Sequence, residues 1–178
     1  MSPNKAELRL QAKARRANRG PFEVSSDLIV WINRTISKGA TIACYISRED
    51  ELNTAELIEL LKFEYQVVSP VTTSHGLIFK EHSNELVVGK YSILEPTGAE
   101  IKISQIDCFI IPALAVDKTG NRLGFGAGYF DQALNQTKKP VVCAVANEDI
   151  LDLVPTEEHD WQIDFIVTQS QIIKTSKL

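Results

Sequence analysis

Residues 41–69, TIACYISREDELNTAELIELLKFEYQVVS, read as strand, helix and strand in succession. Thr41-Ile-Ala-Cys-Tyr-Ile46 is short, apolar and rich in strand-forming residues. Asn53, followed three residues on by Glu56, is a capping-box-like start for a helix predicted to run to about Glu64. Tyr65-Gln-Val-Val-Ser69 is the next strand. A crossover helix between two apolar strands makes a βαβ unit, whose strands lie parallel in one sheet. Outward from it, Ile106–Ile111, Val141–Ala146 and Ile163–Val167 are further near-continuous apolar runs, the pattern of strands buried on both faces. Upstream, Ser25-Ser26-Asp27 opens a helix with Leu28, Trp31, Ile32 and Ile36 at helical spacing, and Gly39 is read as its left-handed cap. The middle differs in character: Leu77–Lys80 and Glu85–Val88 flank a polar Glu81-His-Ser-Asn84 turn, which predicts a β-hairpin. The fold class is therefore α/β: a single domain with a largely parallel sheet, helices on both faces and a β-hairpin insertion. In such a sheet ligands sit beyond the carboxyl ends of the strands.

The 178 residues suffice for one domain with a substantial core, and 44% hydrophobic with 24% charged residues is ordinary globular composition. No repeat, low-complexity tract or linker divides them, so residues 1–178 are read as one domain. The net charge of −4 is unevenly spread: residues 1–20 carry six Lys or Arg against Glu7, and the remainder carries 13 basic and 22 acidic residues. A basic helix at about residues 4–19, stopped by Gly20-Pro21, thus sits on an acidic body. That balance argues against a general nucleic-acid partner. No apolar run approaches the roughly 18 residues of a membrane span, and none follows the N-terminal charges as a secretory signal requires. A cytoplasmic monomer without a membrane partner is the expectation; an Arg-rich start also fits an organellar transit peptide, but Ser is scarce there. Cys44, Cys108 and Cys143 are odd in number, far apart and each inside an apolar run, so they read as buried thiols rather than a disulfide framework or a metal cluster.

Between two of the apolar strands stands Arg122-Leu-Gly-Phe-Gly-Ala-Gly-Tyr-Phe-Asp131. Glycines at alternate positions, Gly124, Gly126 and Gly128, leave successive backbone N–H groups able to turn toward one anion. The helix opening at Tyr129 adds unpaired N–H groups and its positive dipole end. Neither a Walker A loop nor the dinucleotide fingerprint matches: no Gly-Lys-Ser/Thr follows, and Pro112–Leu123 separates the glycines from the strand. A glycine-rich turn without a ligand is the competing reading, and Arg122 with Asp131 tips it toward a phosphate site. Asp131 either favours the helix dipole or, with a second acid such as Asp160, binds Mg²⁺ beside phosphate oxygens. Lys5 and Arg9, four residues apart, share one helix face. His159 is an isolated histidine beside acids, and neither His75 nor His82 has a neighbouring nucleophile or metal-ligand spacing, so no triad or zinc site is supported.

The run from Ile106 to Asp117, Ile-Asp-Cys-Phe-Ile-Ile-Pro-Ala-Leu-Ala-Val-Asp, followed by Gly120-Asn-Arg-Leu-Gly-Phe-Gly-Ala-Gly-Tyr-Phe-Asp131, resembles the signature of the 5-formyltetrahydrofolate cyclo-ligase family. Lys5 and Arg9, Tyr45 with Glu51-Leu-Asn-Thr54, Ser69-Pro-Val, Ile93-Leu-Glu-Pro96 and Pro155 to Asp160 fall in the family's order, so the likeness spans essentially the whole chain. It implies an enzyme that uses ATP and Mg²⁺ to close 5-formyltetrahydrofolate into 5,10-methenyltetrahydrofolate, releasing ADP and phosphate. Carried over residue by residue, it implies a nucleotide phosphate site of Lys5, Arg9, Arg122, Leu123, Gly124, Phe125, Gly126, Ala127, Gly128, Tyr129 and Phe130. Arg122 is its catalytic cation, Asp131 and Asp160 are metal ligands, and Ile46 and Glu51 line the folate pocket. A formyl oxygen is a poor leaving group until phosphorylated, and a phosphoryl transfer asks for cations, N–H groups and Mg²⁺ rather than a protein nucleophile. A folate- or nucleotide-binding protein without turnover is the alternative from another class.

Several positions depart from the family pattern. Ala113 and Val116 replace its Gly and Phe, and Phe130 replaces its second tyrosine and lacks that hydroxyl. Phe125 and Ala127 supply no basic residue inside the loop, which shifts phosphate neutralisation to Arg122, Lys5, Arg9 and the metal. Asn147-Glu-Asp149 stands where the family carries a Gln after the strand.

Overall fold

The computed structural model describes residues 4–19, 22–157 and 160–176; Gly20-Pro21 and His159 lie outside them. An eight-stranded sheet runs in the order Ile172–Lys174, Phe165–Val167, Val141–Ala144, Cys108–Pro112, Thr41–Cys44, Gln66–Thr73, Gly76–Glu81 and Glu100–Ile101. The strands from Phe165–Val167 to Gln66–Thr73 are mutually parallel, and the edges are antiparallel. Residues 41–69 form the expected βαβ unit, with Ile42 opposite Val67 and, on its other side, Cys108.

The apolar strands are covered on both faces, as their composition requires. On one face Ile42, Cys44, Val67, Ile110 and Val142 pack against helix α2 (Asp27–Thr35) through Leu28 and Ile32, and against α3 (Ala55–Leu61) through Leu57, Ile58 and Leu61. On the other, Ala43, Val68, Phe109, Ile111 and Cys143 meet Ala133 and Leu134 of α4 (Tyr129–Leu134). The basic helix α1 (Lys5–Ala17) covers neither face. Its Leu8 and Ala12 pack with Leu114, Ala115, Leu123 and Val154, residues around a small sheet of Arg122–Leu123, Ala115–Asp117 and Ile150–Leu151. Asn4 caps α1 and forms a reciprocal capping box with Glu7.

Local differences from the sequence reading have identifiable causes. Leu77–Lys80 does not pair with Glu85–Val88. The chain folds back earlier, at Gly76, whose φ of +129° a side chain would resist, so Gly76–Glu81 pairs with Gln66–Thr73. Leu86–Val88 pairs instead with Leu94–Pro96 across a turn in which Tyr91 and Ser92 take φ of 62° and 58°. Nothing in Lys-Tyr-Ser announces a left-handed turn. α3 ends at Leu61 rather than Glu64, and Asn53 accepts from Ala55 N–H without a reciprocal Glu56 bond. Ile36 ends α2, while Gly39, three residues on, donates its N–H to Glu64 and turns the chain into the sheet. The three cysteines are buried free thiols, and burial holds them protonated: Cys108 and Cys143 are each pushed up to about 12, and Cys44 is raised also. Among the described residues no helix is long and apolar enough to cross a membrane.

Candidate active site

A cavity of about 660 Å³ opens beyond the carboxyl ends of Thr41–Cys44 and Cys108–Pro112. The chain leaving the first strand contributes Tyr45, Ile46, Arg48 and Glu51, and the second ends in Pro112 at its wall. Past Pro112 the chain makes the hairpin Ala115–Asp117 with Arg122–Leu123, whose turn is tied by Asp117. That carboxylate is fully buried and accepts from Thr119, Asn121 and Val154 N–H groups; burial alone would raise its pKa, but these bonds hold it below the usual carboxylate value. The hairpin explains the separation between strand and glycine loop that defeats the dinucleotide fingerprint: the loop leaves from a second, smaller sheet.

Successive residues of a strand point to opposite sides. Arg122 therefore aims into the cavity, and Leu123 turns its side chain into the apolar cluster with Leu8 and Ala12. Leu123, expected in the phosphate site, contributes no side chain to the cavity. The remaining expected residues are brought together: Lys5, Arg9, Arg122, Gly124 to Asp131, Asp160, Ile46 and Glu51 all line it. Arg9 donates from Nε to the Gly124 carbonyl at 3.0 Å, which fastens α1 to the loop. Arg122 Nη2 meets Asp131 Oδ1 at 2.6 Å, and Lys5 Nζ meets Asp160 Oδ2 at 2.5 Å.

Phosphate suits these residues. Gly126 and Gly128 have φ of +107° and +68°, and a Cβ placed on Gly124 would stand 3.0 Å from Arg122 Nη1. Arg122 Nε is buried without a hydrogen-bond partner, donor capacity that the fold leaves unspent. The carboxylates offer oxygen alone, and among the described residues no group of three or more His, Cys, Asp or Glu could hold a metal. That donor set suits Mg²⁺, which takes one or two carboxylates and completes its shell with water and phosphate oxygens.

Side chains that the sequence reading did not single out complete the walls. Arg48 lies 4.9 Å over the Phe125 ring, placing a guanidinium against the loop that carries no basic residue of its own. Glu95, mostly buried, accepts from Thr72 N–H at 2.8 Å, and Tyr91 reaches the Tyr129 hydroxyl at 3.4 Å. Lys90 donates to Tyr129 at 3.0 Å and holds that phenol below its usual pKa. Lys13 extends the stripe begun by Lys5 and Arg9, and its spacing was legible in the sequence. Lys90, Tyr91 and Glu95 come from the unforeseen hairpin.

Glu51 is 8% exposed and accepts from Arg48 N–H at 2.9 Å. Burial raises its pKa, against the opposing pull of that bond and of the Arg48 charge. The folded protein thus binds this proton more tightly than the unfolded chain, whose value is near 4.5, so Glu51 costs stability increasingly as pH rises through its folded pKa. Glu51→Gln is expected to raise the melting temperature at neutral pH and to lose that advantage in acid. A gain that is constant with pH would contradict the assignment.

The family model for the 5-formyltetrahydrofolate cyclo-ligase family matches residues 2–169. A 5-formyltetrahydrofolate cyclo-ligase of Escherichia coli (strain K12) is 31% identical over 144 residues, covering 74% of this chain and 79% of the relative. One from Mycolicibacterium smegmatis is 28% identical over 151 residues, 78% of each chain. The solved 5,10-methenyltetrahydrofolate synthetase of Aquifex aeolicus superposes with a TM-score of 0.77 at 22% identity, covering 96% of this chain and 92% of that one. The Mycoplasma pneumoniae protein of the same name gives 0.74 at 24%, covering 94% and 99%; both likenesses are of fold.

Proposed function

The chain belongs to the 5-formyltetrahydrofolate cyclo-ligase family and is an enzyme of it, and from that premise we propose how its own residues carry the reaction: 5-formyltetrahydrofolate and ATP give 5,10-methenyltetrahydrofolate, ADP and phosphate, with Mg²⁺ as the metal. The observation that supports this most strongly is the meeting, in one cavity, of a cationic wall poor in side chains and a buried carboxylate among apolar residues.

The formyl oxygen takes the terminal phosphoryl group of ATP, the second folate nitrogen attacks the formyl carbon and loses its proton, and the C–O bond breaks with phosphate as leaving group. Arg122 and the loop N–H groups neutralise the charge that gathers on the transferring group, and Lys5 and Arg9 orient the polyphosphate. Asp131 and Asp160 would hold Mg²⁺, which supplies further charge neutralisation on phosphate oxygens. The pairs Arg122–Asp131 and Lys5–Asp160 hold each cation beside a carboxylate. Phosphate oxygens can replace the carboxylates as partners of the cations, freeing the carboxylates for the metal. Ile46 packs on the folate ring and Glu51 accepts from its N–H groups. We place the protein as a cytoplasmic monomer acting on small molecules, and the net charge of −4 supports the lack of a nucleic-acid partner.

Purified protein mixed with 5-formyltetrahydrofolate, ATP and Mg²⁺ is expected to build the methenyl chromophore, with ADP appearing in equal amount, and to stay silent when any one of the three is omitted. Binding of folate and nucleotide without turnover would overturn the reading in favour of a carrier. Glu51→Ala is expected to raise KM for the folate by about tenfold to a hundredfold, the worth of a hydrogen bond to a charged group. KM for ATP should stay within about twofold; an equal rise in both would remove Glu51 from the folate pocket.

A further inference from the structure

Asp149 closes a short 3₁₀ turn just after the strand Val141–Ala144, and its side chain is fully buried. An isolated carboxylate cannot be left in such a place without partners. Among the described residues its side-chain partners all come from the C-terminal end of α1 and the residues after it. Arg19 Nη1 lies 2.8 Å from Oδ2, Arg15 Nη2 lies 3.3 Å from Oδ1, and Arg16 Nε stands 3.5 Å from Oδ2. Arg16 also donates to the Ala113 carbonyl, and Arg19 bonds Glu148 at 3.1 Å.

At this end of the helix α1 rests on little else, the Arg9–Gly124 and Lys5–Asp160 bonds lying at the other. Leu8 and Ala12 are its buried apolar residues, and Leu10 is 71% exposed. Yet the opposite end of the same helix must deliver Arg9 and Lys5 to the glycine loop, seven and eleven residues from Arg16, or about 10 and 16 Å at the helical rise. The fastening even touches the loop: the Arg16 guanidinium lies 5.8 Å over the ring of Phe125.

We propose that Asp149 is a positioning residue for nucleotide use. Its buried carboxylate gathers Arg15, Arg16 and Arg19, fixes the far end of α1 on the body, and so sets the reach of Lys5 and Arg9 over the triphosphate. This rests on the reading of Lys5 and Arg9 as phosphate ligands. Asp149 does not itself line the cavity, and its effect passes through the helix and through the Arg16 contact with Phe125.

The test is Asp149→Asn, which keeps size and an acceptor oxygen but removes the charge. Misplacing a charge-bearing element by about an ångström costs up to about a hundredfold in rate, so kcat/KM for ATP should fall by about tenfold to a hundredfold while KM for the folate stays within about twofold. Hydrogen exchange should show α1 amides losing protection while strand amides keep theirs. Asp149→Glu should restore part of the ATP effect. Because Asp149→Asn leaves three arginines, Arg16 buried among them, facing a neutral group, the double variant Arg15→Gln/Arg19→Gln serves as a second probe, with the same direction and a smaller size. Equal changes for both substrates, or unchanged α1 protection in a folded variant, would overturn the proposal. Failure of the phosphate reading would look different: α1 would loosen in the variants with no selective change in ATP use.

Discussion

Replacing Arg122 by glutamine is expected to lower kcat by about three orders of magnitude or more, the scale on which a cation on a transferring phosphoryl group acts. The side chain is 3% exposed and set by the hairpin of Arg122–Leu123 with Ala115–Asp117, so it is pre-positioned rather than recruited. Among the described residues its single close partner is Asp131, and its Nε finds no acceptor there. For stability alone that is a poor arrangement, because a buried donor without an acceptor carries a desolvation cost with no return. An incoming phosphate supplies the missing acceptors and matches the planar fork of the guanidinium. Arg122→Lys should therefore recover little, since an ammonium keeps the charge and loses the fork. The fold should survive, because Asp131 is partly exposed and retains the Trp161 N–H. Steady-state kinetics with varied ATP decides the matter: a kcat within about tenfold of the unaltered enzyme would remove Arg122 from the chemistry.

Asp131→Asn is expected to lower turnover by about a hundredfold to a thousandfold and to raise the Mg²⁺ concentration needed for half-maximal rate. Asparagine keeps the oxygen that accepts from Arg122 and Trp161 N–H, so the local bonds persist while the charge goes. Alanine is the blunter choice. A helix-start acid alone is worth only about 0.3–1 kcal/mol, but stranding a buried guanidinium costs about 3–5 kcal/mol, and the Arg122 pair makes that second figure the relevant one. Titrating Mg²⁺ at saturating ATP separates the roles. An unchanged Mg²⁺ requirement would leave Asp131 as a partner of Arg122 and nothing more.

The parallel core was legible because its signal is local. Ile42, Val67, Ile110 and Val142 sit in apolar runs bounded by turns, and the connection between the first two, with its helix Ala55–Leu61, is long enough for a crossover. The cationic, glycine-rich wall of the cavity was legible because an arginine precedes glycines at alternate positions, and Lys5, Arg9 and Lys13 recur every four residues. Leu123 stands on a strand where the sequence reading had a loop, and alternation sends its side chain away from the cavity once Arg122 points in. Tyr91 and Lys90 were hidden because a two-residue left-handed turn without glycine or asparagine delivers them from a distant segment, and Glu95, quoted within the Ile93–Pro96 match, was given no role there. Asp149 read as a departure from a family pattern, whereas its meaning depends on three arginines about 130 residues upstream. Such pairings are created by folding and leave no spacing to read.

The most direct test of the account follows the formyl oxygen. 5-Formyltetrahydrofolate carrying heavy oxygen in its formyl group is turned over with ATP and Mg²⁺, and the released inorganic phosphate is weighed by mass spectrometry. Phosphorylation of that oxygen predicts one heavy atom in every phosphate released; label recovered in water, with unlabelled phosphate, would contradict it.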